Sequence, residues 1–270
     1  MLRNEGDRLI KVVVCPPRQE YFRVDDLKAH NINVVADTAK TMEQFHRLKM
    51  IMTQFGVEVI DVPELKGHPN SVFTRDASVS TPRGYIKLRL GLPARRDEGE
   101  WMAKILGSLD EPCAGEIKDP GTVEGGDVIL AGHVAFVGHT RRTNIEGVKQ
   151  ISDLLTKMGY EIRTISLMER YLHLGGAMSA IGPERILCCQ DVFPADFFDG
   201  FDRVEVPHVG PSTGNVICLT GDEIIANVAE NLEAVKILER KGVSVHRIDL
   251  SEFRKGAGGP TCLVLPIERK

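Results

Sequence analysis

Near its C-terminus the chain sets a lone cysteine, Cys262, behind three glycines and a proline in GAGGPTCLVLP, ahead of an apolar run. Gly256, Gly258 and Gly259 free the backbone, while Pro260 fixes one dihedral and removes a donor, which presents the thiol at the mouth of a strand. A buried structural cysteine after a turn would show the same residues. Three other stretches gather polar side chains at loops or strand ends. HPNSVFTRDASV carries Asn70, Arg75 and Asp76, GTVEGGDVIL sets Glu124 and Asp127 around two glycines, and YLHLGGAMSAIG has His173 before Gly175 and Gly176. Each has an ordinary explanation by itself: Asp76 as a turn former, His173 as a satisfied core histidine. As a set they supply a nucleophile in Cys262, an acid or base in His173 and an orienting carboxylate in Glu124, the parts of a covalent catalytic site. No H-E-x-x-H or paired-histidine spacing suggests a metal, and no G-x-x-x-x-G-K-[ST] loop suggests a nucleotide. The expectation is catalysis without metal or organic cofactor.

The elements that must position these residues follow from periodicity. DTAKTMEQFHRLKMIMTQFG reads as an amphipathic helix with Met42, Phe45, Leu48, Met52 and Phe55 on one face, stopped by Gly56 and followed by the strand VEVIDVP. NIEGVKQISDLLTKMG repeats the scheme with Ile145, Val148, Ile151, Leu155 and Met158, stopping at Gly159. NLEAVKILERKG ends at Gly242, and a fainter copy, EGEWMAKILG, ends at Gly107. Hairpins are expected in DVILAGHVAFVGH through Gly132 and in GNVICLTGDEIIAN through Gly221 and Asp222. The result is a mixed α/β fold of repeated small units, and with no Pro/Ser-rich linker, residues 1–270 read as one domain.

With 270 residues, 42% hydrophobic and 27% charged, the chain can bury a full core. A net charge of -4 without a basic run argues against a nucleic-acid surface, and Val12–Cys15 is too short an apolar run for a signal peptide or membrane span. Six cysteines without C-x-x-C spacing indicate neither a disulfide framework nor a zinc site, so a reduced, cytoplasmic protein is expected.

In their order, EGGDV, RRTN, HL and a glycine-rich cysteine near the end make the chain resemble the guanidino-group-modifying (pentein) superfamily of dimethylarginine dimethylaminohydrolases, arginine deiminases and amidinotransferases. The similarity runs from KVVVCPP to CLVLPI and, with no extra helical domain, is most like the dimethylarginine dimethylaminohydrolases. It implies a five-bladed pseudo-symmetric α/β propeller of ββαβ-type units. It also implies Cys262 as nucleophile, His173 as acid/base, Glu124 as its support, Asp76 as the grip on a guanidinium, and Arg95 and Arg142 as the clamp on an amino-acid carboxylate. Phe73 and Asn70 join these as ligand-lining residues. The implied reaction is hydrolysis of a guanidino C–N bond in arginine or methylated arginine to citrulline. The alternatives are an arginine deiminase or dihydrolase, an amidinotransferase, or a non-catalytic propeller that only binds. The partner expected is a small guanidino molecule, with a homodimer left open. Three positions depart from the pattern: Arg75 stands where dimethylarginine enzymes usually have Glu, Gly175 where deiminases have Asp, and Ala257 where dimethylarginine enzymes tend to have an acid.

Overall fold

The computed structural model describes residues 1–270, apart from the side chains of Glu230 and Asn231. Its strands fall into five three-stranded sheets. In chain order they are β1 Leu9–Val14 with β2 Glu58–Asp61; β3 Ser78–Thr81, β4 Gly84–Lys87 and β5 Cys113–Glu116; β6 Val128–Ala131, β7 Val134–His139 and β8 Glu161–Ser166; β9 Met178–Gly182, β10 Arg185–Cys189 and β11 Asp202–Val206; and β12 Val216–Thr220, β13 Glu223–Asn227 and β14 Ser244–Ile248. The last strand, β15 Leu265–Arg269, pairs antiparallel with β1 and completes the first sheet, so the two ends of the chain close the ring. In every sheet the middle strand pairs antiparallel on one side and parallel on the other. A parallel return needs a crossover, and helices supply it: α1 Thr38–Gln54, α2 Glu98–Ser108, α3 Ile145–Thr156 and α4 Val228–Arg240; a short α5, Ser251–Arg254, follows β14.

This is the five-bladed α/β propeller, with one blade altered. Between β10 and β11 there is no helix, and Phe193, Phe197 and Phe198 pack into the core there together with Phe136. Burial grades from the axis outward. The strands β3, β6 and β9 are buried at every residue, whereas β2, β5 and β8 have exposed ends. β15 touches β3, and β9 touches both β6 and β12, so these inner strands line the axis.

Two helix stripes shift from the sequence expectation. On α1 the buried face is Thr41, Gln44, Phe45, Leu48, Ile51 and Met52, and Met42 is 52% exposed. On α3, Ile145 is 70% exposed while Val148, Ile151 and Leu155 are buried, because the N-terminal turn projects past the sheet. Gly56, Gly159 and Gly242 adopt the left-handed conformation that ends a helix, but Gly107 does not: α2 runs one residue further and Asp110 takes the left-handed position instead. The hairpins through Gly132 and Asp222 form as expected, both residues at positive φ. No described helix is long and apolar enough to cross a membrane.

The start of the segment between β1 and α1 is gathered by one carboxylate. The Glu64 carboxylate accepts the backbone N–H groups of Arg18, Gln19, Glu20 and Tyr21 at 2.9, 2.7, 3.0 and 3.2 Å. Glu64→Ala should therefore cost about 2 kcal/mol of unfolding free energy, with Glu64→Gln losing less, as read from urea denaturation. Equal midpoints for all three proteins would refute this anchoring.

Candidate active site

Each inner strand is entered through a tight turn, and these turns converge. Asp76 lies in the turn before β3, Glu124 before β6, His173 before β9, Asn215 immediately before β12 and Cys262 in the turn before β15. Five sheets thus each send one side chain from the residues just ahead of the inner strand, between one and five positions before it. Four were expected from sequence. Asn215 was not, although it too precedes an inner strand, which is the signal that would have found it.

His173 donates its Nε2–H to Glu124 Oε2 across 2.7 Å, and its Nδ1 lies 3.9 Å from Oδ1 of Asp76. Glu124 has no exposed surface. It also accepts the N–H groups of Gly91 and Leu92 and an Arg142 N–H at 3.2 Å. The glycine after its neighbour is required: a Cβ on Gly126 would sit 2.8 Å from the His173 ring, so only glycine lets the loop back the imidazole. Asp127 takes the Leu174 N–H and the hydroxyls of Thr140 and Thr143, fixing the His173 turn from below.

Cys262 accepts the Gly259 N–H at 3.3 Å, and Asn215 Nδ2 stands 4.0 Å from its sulfur. Asn215 also brackets Thr261, accepting its N–H at 2.9 Å and donating to its hydroxyl at 2.7 Å. The glycines of this loop serve packing. A Cβ on Gly258 would meet the Phe73 ring at 2.2 Å, and one on Gly259 would meet Asn215 at 2.8 Å. The loop is therefore glycine-rich because Phe73 and Asn215 press against it.

A cavity of about 280 Å3 is lined by Asp76, His173, Cys262, Arg142, Phe73 and Asn70 among others, so the expected ligand-lining residues share one space. His30 and Asn31, which sequence reading did not single out, also line it. They are tied in by Asn70, whose Oδ1 lies 3.0 Å from His30 Nδ1 and whose Nδ2 donates to the His30 carbonyl. Arg95 lines the same space. Its guanidinium lies between Asp76 Oδ2, at 2.7 Å, and Glu98, which it grips through Nε and a second nitrogen at 3.0 and 2.7 Å. It is 3% exposed and gives its fork to these two carboxylates, which orients Asp76. Arg75 also turns away: it pairs with Glu5 at 2.7 Å and donates to the Gly125 and Val128 carbonyls.

The electrostatics follow from burial. Burial opposes a charge on His173, but Asp76, the Glu124 hydrogen bond and Asp127 together raise its pKa to about 9. Burial also works against ionised Glu124, yet the His173 hydrogen bond and Arg142 hold it well below the usual carboxylate range. Burial and then Asp76 push the Cys262 thiol up to about 11. Burial raises Glu98 to about 7 despite Arg95. One acceptor is left over: Asp76 Oδ1 is buried without a hydrogen-bond partner. Among the described residues, Asp76, Glu124 and His173 are the one cluster close enough to share a metal, within 4.8 Å, but the His173 nitrogen and Glu124 oxygen nearest each other already form a hydrogen bond.

A propeller whose axial turns bring a cysteine, a histidine and acids together defines a guanidino-group-modifying enzyme. The family model described as N,N dimethylarginine dimethylhydrolase, eukaryotic, matches residues 20–269, and the chain belongs to this family. It is 29% identical over 229 residues to N(G),N(G)-dimethylarginine dimethylaminohydrolase of Pseudomonas aeruginosa, covering 85% of this chain and 89% of that one. The structure of a cysteine-to-serine mutant of the Pseudomonas aeruginosa enzyme with citrulline matches at TM-score 0.83 and 25% identity, covering 96% of this chain and 100% of that one. The N-terminal domain of a cyanobacterial arginine dihydrolase shares the fold, at TM-score 0.82 and 20% identity over 96% of this chain and 98% of that one.

Two pH effects follow. A folded-state His173 pKa of about 9, against 6.5 unfolded, contributes stability that is complete below pH 6.5 and lost as pH rises through 9. The urea midpoint should fall across that window and fall less in His173→Gln. Peptide-resolved alkylation of Cys262 in the ligand-free protein should still be accelerating above pH 10. A plateau by pH 8 would show that the resting thiol is already activated.

Proposed function

We propose that the protein hydrolyses the guanidino C–N bond of Nω-methylated arginine, releasing citrulline and a methylated amine, with residues 1–270 acting as one catalytic domain. The observation that carries this is the unpartnered, buried Asp76 Oδ1 in a cavity that also holds Cys262 and His173. A buried acceptor without a donor is costly, and a planar cation with several N–H groups supplies what it lacks.

Guanidinium binding at Asp76 also offsets the field that disfavours the thiolate, so Cys262 ionises when substrate arrives and its proton leaves to solvent. The thiolate forms an S–C bond to the guanidinium carbon. Protonated His173 gives its proton to the alkylated nitrogen, the C–N bond breaks, and the amine departs, leaving a cationic thiouronium on Cys262 and neutral His173. Water then adds to that carbon. His173 takes one proton, the C–S bond breaks to return the thiolate, and the remaining proton is lost to solvent as citrulline leaves. Glu124 keeps the imidazole oriented through both steps. In this reading the enzyme is cytoplasmic, where Cys262 and five other free cysteines stay reduced.

Product analysis by mass spectrometry tests the reading. Incubation with asymmetric dimethylarginine should give citrulline and dimethylamine. Cys262→Ser should abolish turnover, and His173→Ala should lower it by about 10²–10⁴-fold. Turnover of arginine but not of its methylated forms would move the assignment to a deiminase or dihydrolase. No product from either would leave a binding propeller.

A further inference from the structure

Beyond the ligand cavity lies a second space on the propeller axis, walled in part by Ile129, Val216 and Val264 and in part by the polar Arg75, Ser179 and Asn215. Leu172, His173, Ala257 and Cys262 border both spaces. The partition between them is therefore the nucleophile, the acid and two apolar side chains. We infer that this axial chamber receives the substituent on the reacting nitrogen and the amine released from it, so that the enzyme acts on Nω-alkylated guanidines with chains longer than methyl.

The inference rests on the proposed reaction and follows from where donors are needed. Asp76 Oδ1 calls for an N–H. A nitrogen that carries two alkyl groups has lost both of its N–H donors, so it cannot be the one on Asp76 and must face a wall that asks for none. Leu172 and Ala257 are that wall. The leaving nitrogen must also lie against His173, which protonates it, and His173 stands on the same partition. Gly175 lines the chamber without a side chain to fill it.

Ala257 stands on that partition because of the backbone. Its φ of 61° belongs to the left-handed turn that ends α5, where its own N–H returns to the Arg254 carbonyl and that of Gly258 to the Phe253 carbonyl. The turn holds the methyl group at the border of both spaces, which makes Ala257 a specificity-determining residue at the port.

The test is kcat/KM for a series of Nω,Nω-dimethyl-, diethyl- and dipropylarginine, with wild type, Leu172→Phe and Ala257→Gly. Wild type should lose less than 5-fold from methyl to propyl. Leu172→Phe, which narrows the port, should lower the propyl-to-methyl ratio at least 10-fold. Ala257→Gly relieves backbone strain and so folds, and it should raise that ratio. A loss above 30-fold from methyl to propyl in wild type, or variants that change all substrates by one common factor, would overturn the chamber assignment. Absence of turnover even with dimethylarginine would instead strike the underlying reaction.

Discussion

Glu124, a carboxylate without exposed surface, bonded to His173 at 2.7 Å and to Arg142 at 3.2 Å, is the constraint around which the site is arranged. A carboxylate this deeply buried survives only if its lone pairs are filled, and here two backbone N–H groups and two cationic side chains fill them. In turn it keeps His173 protonated and in place. Arg95 connects the arrangement to a second acid, with Glu98 on one side of its guanidinium and Asp76 on the other. These residues come from different sheets and the loops beside them, so the site exists only when the ring is closed, and the β1–β15 pairing that closes it also carries Cys262.

This arrangement disfavours the thiolate before a ligand arrives. Burial and Asp76 both oppose the thiolate, and the backbone N–H of Gly259 and the nearby Arg254 and Arg95 only partly offset them. The group that raises the thiol pKa is the one that needs a cation. Substrate binding and nucleophile activation are thus the same electrostatic event, which restricts attack to ligands that bring positive charge to Asp76.

Much of this was legible in the sequence because it is periodic or local. The helix–glycine–strand rhythm gave the repeat, and the four polar stretches before inner strands gave Asp76, Glu124, His173 and Cys262. What escaped has no local signature. Arg95 binds Asp76 and Glu98 across 19 and 3 positions, and nothing in GLPARRDEG says which partner it will choose. The glycines around Cys262 read as backbone freedom in sequence but are set by the Phe73 ring and Asn215, contacts made between distant segments. His30 reaches the cavity through its contact with Asn70, and the helix stripes erred at Met42, where polar Thr41 and Gln44 hold the buried face instead, and at Ile145, the first residue of its helix.

The central claim is that Asp76 Oδ1 is reserved for a guanidinium. Isothermal titration of Cys262→Ser and of Cys262→Ser with Asp76→Asn, each with asymmetric dimethylarginine and with citrulline, addresses it most directly. Removing the Asp76 charge should weaken binding of the cation by about 100-fold, the scale of a lost buried charge-assisted hydrogen bond, and that of neutral citrulline by far less. Equal losses for both ligands, or none for the cation, would contradict the account.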